Sequence, residues 1–345
     1  MAVNLVNALP RVRCEVSLCT TRQEGPLVDL VTKDVGRLRL NRRWRFDLMA
    51  VRRLVAFNQA YGIQILHAHD ASLFLAGLAS LFPPYPAVLW HDHFGLYAIQ
   101  ERPVWLYGLA TSRVSGVIAV SQPLAEWSRR RLGIPAERVW YIPNFVCSAE
   151  GHEALPTLPG ALGNRIVCVA NFRAQKDHLT LLRAMARVIR QVPTANLLLV
   201  GAAIEPKYSA VVRREIVQQG LERNIALLGV RQDVYSILKA CDIGVLSSAS
   251  EGLPLALIEY GMAGLAAVAT NVGQCGEVLD EGRAGILVLP ASPERLAEAL
   301  LSLLKFPERR LALGKQLYRR VHERYSPSFV IEQVCQVYER VLSAS

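Results

Sequence analysis

The chain of 345 residues has no Cys-x-x-Cys pair, and its seven cysteines are odd in number and scattered. That argues against a zinc ribbon and against a disulfide framework, so the thiols read as small apolar groups of a reducing, cytoplasmic setting. No metal is expected. The opening MAVNLVNALPRVR lacks the apolar run and the preceding charge of an export signal. No long apolar run is available to cross a bilayer either. The most apolar stretch, residues 72–90, is broken by Pro83, Pro84 and Pro86 and reads as a short helix, a turn and a buried strand. Acidic residues are the scarcer charge: 29 Asp and Glu face 39 Lys and Arg, for a net charge of +10. Such a chain suits an anionic partner, for which phosphate groups, an acidic membrane surface and nucleic acid all qualify. No Gly-x-Gly-x-x-Gly follows any candidate strand, which weighs against a dehydrogenase.

What is present is apolar and periodic. A hydrophobic share of 52% excludes disorder, and the length predicts two domains, each with its own core. CEVSLCT, IQILHAH, AVLWHDH, GVIAVS and VWYIP alternate with helical patterns in the first half, and RIVCVAN, NLLLVG, IALLG, DIGVLSS and LAAVAT do so in the second. Continuous apolar strands separated by helices imply parallel sheets covered on both faces. The expected class is α/β, with two doubly wound, Rossmann-like domains. The expected boundaries are a first domain over 1–146, a Gly- and Pro-rich linker over 147–163, a second domain over 164–325, and a last helix over 326–345 that crosses back to the first.

Open α/β sheets bind ligands beyond the carboxyl ends of their strands. His67, Asp70, His91, His93, Ser121 and Asn144 follow strands of the first half, and Arg173, Lys176, Gly201, Ser247 and Glu251 follow strands of the second. Any one of them alone is ordinarily a cap or a loop hydrogen bond; together they mark a site. SSASEGLPLALIE predicts a loop that enters a helix near Pro254, with the amides around Gly252, Leu253 and Leu255 presented to phosphate or sugar hydroxyls. Glu251 stands at that mouth. Glu259, eight positions on, would lie about 12 Å farther along a helix axis, suited to a vicinal diol such as a ribose. Arg173 and Lys176, in ANFRAQKDHLTLLRAM, are the cations expected to neutralise the phosphate charge between them.

With these residues in view, residues 64–342 resemble the group 1, family 4 glycosyltransferases of GT-B fold. The resemblance rests on VIAVSQPLAEWSRRRLGIPAERVWYIPN at 117–144, VANFRAQKDHLTLLRAM at 169–185, the segment 227–270 with its glutamate pair, and HERYS at 322–326. It implies retaining, metal-independent transfer of a hexosyl unit from a nucleotide-diphosphate sugar to a glycan, glycolipid or similar lipid-linked acceptor, with no cofactor. Glu259 would bind the ribose, and Glu251 with Gly252, Leu253, Pro254 and Leu255 would hold the donor sugar. Arg173 and Lys176 would stabilise the departing diphosphate, an electrostatic task that needs no protein nucleophile. His91 matches the family's histidine near the anomeric centre, with His93 as the alternative in the same segment. Asn144 and Ser121 complete the expected contacts.

The resemblance has departures. Asn171 stands where arginine is common, Ala266 where proline is usual, and Gln274 and Cys275 separate what is typically a glycine pair. The chain also opens in what reads as the end of a helix, so the first domain is expected to lack its first strand and glycine-rich loop, the native start lying upstream. The absence of that middle strand would leave backbone unpaired. Residues 37–53, with arginines around Trp44 and Phe46, read as a solvated face or as a dock for an anionic cytosolic membrane surface. Nucleic acid is ranked low for want of a recognition module. The alternatives are a nucleotide-sugar-binding remnant or partner subunit and, below it, a nucleotide-sugar epimerase or phosphorylase.

Overall fold

The computed structural model describes residues 1–44, 47–94, 102–146 and 156–344. Phe46 and residues 147–155 of the expected linker lie outside the described residues. The chain divides into two compact units, one of Met1–Phe145 with Pro327–Ser345 and one of Val146–Ser326.

The first unit contains β1 (Ser17–Thr20), β2 (Gly36–Arg39), β3 (Ile65–His69), β4 (Ala87–Asp92), β5 (Gly116–Ala119) and β6 (Val139–Tyr141). Strands β3 to β6 lie side by side in sequence order, all parallel. Strands β1 and β2 form a separate parallel pair, and no ladder joins β1 to β3 among the described residues. The helix Pro327–Ser343 is part of this unit. Its apolar residues Val330, Val334, Val337 and Val341 recur at helical spacing and pack with Leu5, Leu89, Ile118 and Phe145. Arg13 ties the helix to the start of the chain through Glu332 at 2.7 Å and Glu339 at 2.6 Å.

The second unit holds β7 (Arg165–Val169), β8 (Asn196–Val200), β9 (Ile225–Gly229), β10 (Ile243–Leu246), β11 (Ala266–Thr270) and β12 (Ile286–Val288) in one sheet. Their order is β12-β11-β10-β7-β8-β9, and every pairing is parallel. Alternate residues feed two cores. Ile166, Leu197, Leu199, Ile243, Val245 and Val268 face the helices Pro293–Lys305 and His178–Gln191. Val167, Leu198, Leu246, Ala267 and Ala269 face Leu255–Met262 and Pro307–Tyr325. Burial on both faces explains why these strands read as unbroken apolar runs.

Two strands escape the sequence reading. The alternating Arg and Leu of β2 read as part of a basic segment, and β12 is three residues long beside Gly285 and Pro290. Residues 48–53 of the basic segment open the helix Leu48–Ala60, capped by Asp47, whose carboxylate accepts the Ala50 N–H at 3.1 Å.

Candidate active site

Strand order reverses between β7 and β10, since β8 and β9 continue on one side and β11 and β12 on the other. Loops leaving two such strands diverge, and a crevice opens at their carboxyl ends. The β7 loop carries Arg173 and Lys176; the β10 loop carries Ser247 to Pro254.

The two loops are stitched together. Lys176 Nζ lies 2.6 Å from Glu251 Oε1, and Ser248 Oγ donates to the same oxygen at 2.6 Å. The Glu251 side chain is only 7% exposed, so the pair sits where loss of one partner strands a buried charge. Ser247 Oγ donates to the carbonyls of Lys176 and Asp177, and Gln175 Nε2 donates to the Ser250 carbonyl at 2.7 Å. Thr270 Oγ1 holds the far side of the β10 loop by donating to the Ser248 carbonyl at 2.6 Å. Glycine is required at 273: its φ is +52°, and a Cβ there would stand 2.1 Å from the Glu251 carbonyl oxygen.

Arg173 is exposed and makes no ion pair among the described residues. Asn171, the departure noted above, uses its Oδ1 to accept the Ala202 N–H at 2.8 Å. The helix begins at Leu255, with Pro254 as its N-cap and no side-chain cap bond, so Pro254 lies just outside the first turn where it was expected. This corrects the spacing of the glutamates. Four of the eight steps from Glu251 to Glu259 belong to loop, and Glu259 is one turn inside the helix, about 6 Å beyond Leu255 and not 12 Å beyond Glu251 along an axis. The Glu259 side chain has no hydrogen-bond or ion-pair partner among the described residues, and burial pushes its carboxyl up to about 7. Gly252 and Leu253 are half-buried, Pro254 is buried and Leu255 is exposed. Nearby, Phe172, Gly201, Ala202, Arg213, Gly229 and Val230 line a cavity of about 240 Å³ at the ends of β7, β8 and β9.

The remaining predicted residues lie in the first unit. His67 and His91 are not in loops after strands but within β3 and β4, because the strands run three and two residues farther than the apolar runs. With His69 and His93 they form a cluster. His67 Nε2 and His91 Nδ1 are 2.9 Å apart, His69 Nδ1 and His93 Nε2 are 2.9 Å apart, and His67 Nδ1 is 2.7 Å from the Tyr338 hydroxyl. Burial holds His69 and His93 down to about 3, and holds His67 and His91 well below the usual histidine range. A contact with the Asn144 side chain opposes the shift at His93. One ring nitrogen each from His67, His69 and His91 lie within 4.8 Å of one another, a set able to hold a metal ion. Ser121 is buried, and its hydroxyl accepts the Leu124 N–H at 3.4 Å as the cap of Gln122–Arg131. It therefore has a structural use. Asp92, beside His91 in sequence, is paired twice with Arg102, at 2.9 and 2.8 Å.

Sequence reasoning passes over Ser248, Gln175 and the histidine cluster. The usable signal for Ser248 is the serine-rich loop itself; for the cluster it is the repeated His-x-His at the ends of two adjacent strands, and Gln175, in the β7 loop, carries none.

The family described as glycosyl transferases group 1 matches residues 163–305. Glycosyltransferase Family 4 matches residues 1–150, so the likeness reaches into the first 63 residues, outside the motifs quoted above. The chain is 28% identical over 318 residues to alpha-maltose-1-phosphate synthase of Mycolicibacterium smegmatis, covering 82% of this chain and 81% of the relative. It is 30% identical over 239 residues to phosphatidyl-myo-inositol mannosyltransferase of the same organism, covering 67% and 59%. To N-acetyl-alpha-D-glucosaminyl L-malate synthase of Bacillus anthracis it is 27% identical over 177 residues, covering 51% of this chain and about half, 45%, of that relative's length. Among solved structures, a glycosyltransferase from Rickettsia africae superposes with a TM-score of 0.85 at 18% identity over 99% of this chain and 94% of the other. Anabaena HepE in complex with UDP-glucose gives 0.79 at 18% identity over 98% and 94%. The structural likeness carries the fold and the two family matches carry the kinship: the chain belongs to the group 1, family 4 glycosyltransferases, with the GT-B fold.

Proposed function

We propose that the protein transfers a hexosyl unit from a nucleotide-diphosphate sugar, with retention and without a metal, to a glycan or lipid-linked acceptor. One observation carries the reading: at the strand-order reversal, half-buried Lys176 and buried Ser248 converge on buried Glu251, with Arg173 of the same loop as Lys176 unpaired among the described residues and the unpaired Glu259 side chain one turn inside the helix that follows the β10 loop. In this reading the diphosphate draws on Lys176 and Arg173, whose charges stabilise the leaving nucleotide as its own charge grows. Glu251 and the backbone from Gly252 to Leu255 receive the sugar hydroxyls, Glu259 receives the ribose diol, and the cavity beside Phe172 suits the base. His91 is assigned to the anomeric centre on the family resemblance. The UDP-glucose complex of HepE supports the donor class, and the relative named phosphatidyl-myo-inositol mannosyltransferase supports a glycolipid acceptor.

The acceptor reading includes a membrane surface. Trp44, Leu48 and Met49 are exposed next to exposed Arg43, Arg52 and Arg53, an apolar and cationic combination suited to anionic lipid. No helix among the described residues is long and apolar enough to cross a membrane.

A panel of UDP-, GDP- and ADP-sugars, assayed for hydrolysis and thermal stabilisation, tests the reading. One donor is expected to turn over, with Lys176→Ala and Glu259→Ala each lowering turnover at least tenfold. Stabilisation without turnover would assign a nucleotide-sugar-binding subunit. Turnover indifferent to both substitutions would remove the site assignment.

A further inference from the structure

We propose that Tyr338 and His67 are positioning residues for His91, a hydrogen-bonded relay that sets the His91 imidazole with its proton on Nε2 and so presents it as an N–H donor. This role rests on the assignment of His91 to the anomeric centre made above, and it gives that ring its chemical form. The elements build the relay directly. Residues two apart on a strand share a face, so His67 and His69 of β3 lie on one side of the sheet. The register sets His69 opposite His91 of β4, which puts all three rings on that side and makes His67 the diagonal neighbour of His91. Tyr338 comes from the helix Pro327–Ser343, whose valines seat it on the apolar core and whose Glu339, the next residue, is held by Arg13.

The end group fixes the direction of the relay. The Tyr338 hydroxyl is 2.7 Å from His67 Nδ1, and His67 Nε2 is 2.9 Å from His91 Nδ1. Among the described residues the hydroxyl has His67 as its one hydrogen-bond partner. Burial raises that hydroxyl above the usual phenol range, so it keeps its proton. Were it to accept from His67, its own hydrogen would be left buried and unpaired. With the phenol donating, His67 accepts at Nδ1, carries its proton on Nε2 and donates to His91 Nδ1, and the proton of His91 is left on Nε2. Burial holds both rings well below the usual histidine range, so each carries a single proton.

At Nε2 the relay ends without an acceptor. His91 is 1% exposed, and its Nε2 has no hydrogen-bond partner among the described residues. A buried N–H left over on a packed sheet face calls for an acceptor from outside the chain, and a hydroxyl oxygen of the donor sugar supplies one. The neutral ring also brings no positive charge to a sugar carbon that becomes electron-poor as its glycosidic bond breaks. His69 and His93 form a pair of their own, Nδ1 to Nε2 at 2.9 Å, and no hydrogen bond joins that pair to the relay among the described residues.

Nitrogen-15 spectra of the histidine-labelled full chain at neutral pH, with no donor present, read the relay by itself, the His91 signals being assigned by their loss in His91→Asn. His91 is expected with its proton on Nε2 and a bare Nδ1; a wild-type ring protonated on Nδ1, or on both nitrogens, would overturn the proposal. Tyr338→Phe and His67→Leu should each leave His91 as a mixture of tautomers, while His67→Gln, whose amide can still donate to Nδ1, should keep the proton on Nε2. With the donor that turns over, kcat should fall about tenfold in Tyr338→Phe and in His67→Leu and stay within about threefold in His67→Gln, the KM for the donor being nearly unchanged in all three. A tautomer or a kcat indifferent to Tyr338→Phe would refute the relay, and equal losses in His67→Leu and His67→Gln would show that His67 acts by packing alone. Should a variant fail to fold, the wild-type spectrum decides. Absence of turnover with every donor would defeat the transfer reading and leave the relay to be judged on the spectrum.

Discussion

Glu259 is a carboxyl the fold leaves without a protein partner, and its titration carries a consequence for stability and for binding. Its ionisation is raised to about 7 by burial, so the folded chain holds the proton more tightly than the unfolded one. The associated stability is whole below the ordinary glutamate range and is lost as pH rises through 7. Glutamine cannot ionise, so Glu259→Gln is expected to exceed the wild type by about 3 kcal/mol at most at pH 8.5 and to equal it near pH 4. Urea unfolding at the two pH values checks this; equal differences at both would contradict it. If the ribose hydroxyls donate to the ionised form, donor affinity should also fall about tenfold per pH unit below 7. Lys176, Arg173 and Glu251 stood out in the sequence as candidates because they follow apolar strands together, and Glu259 because it is a lone acid in an apolar helical stretch. Ser248 and Gln175 did not, since a loop hydroxyl or amide has the same appearance whether it caps a turn or, as here, holds Glu251 and the Ser250 carbonyl.

At the scale of elements, the helix that carries Glu259 is fixed to the sheet by its neighbour in sequence. Tyr260 is fully buried, its oxygen accepts the Val169 N–H at 2.9 Å and its hydroxyl donates to the Val245 carbonyl at 3.1 Å. Its ring lies where a Cβ on Gly244 would come within 2.3 Å, so the glycine in β10 is what lets the ring sit flat on the strand. Tyr260→Phe keeps the ring and orphans both backbone groups, for an expected loss of about 1–3 kcal/mol. A denaturant midpoint unchanged by that substitution would show that the clamp is unimportant. Ten of the twelve strands among the described residues were legible because two buried faces force continuous apolar runs. The exact start of the helix at Leu255 was not, because proline is acceptable both in the first turn and just before it.

For the whole molecule, the division into two Rossmann-like series could be read from alternation alone. The histidine cluster left only the repeated His-x-His as a trace, because its assembly depends on the register of β3 against β4 and on Tyr338, which is 271 positions from His67 in the chain. The net charge of +10 has a testable counterpart at this scale. Sedimentation with vesicles is expected to rise with the anionic lipid fraction and to fall severalfold when Trp44 and Leu48 are replaced by serine; co-sedimentation indifferent to lipid charge would remove the membrane reading. The claim on which the account turns is that the second unit grips an activated sugar by its diphosphate and its ribose. Calorimetric titration of the full chain with the donor that gives most thermal stabilisation tests it most directly. The account predicts one site per chain and affinity weakened at least tenfold by Lys176→Ala and by Glu259→Ala; equal affinity in wild type and in both variants would contradict it.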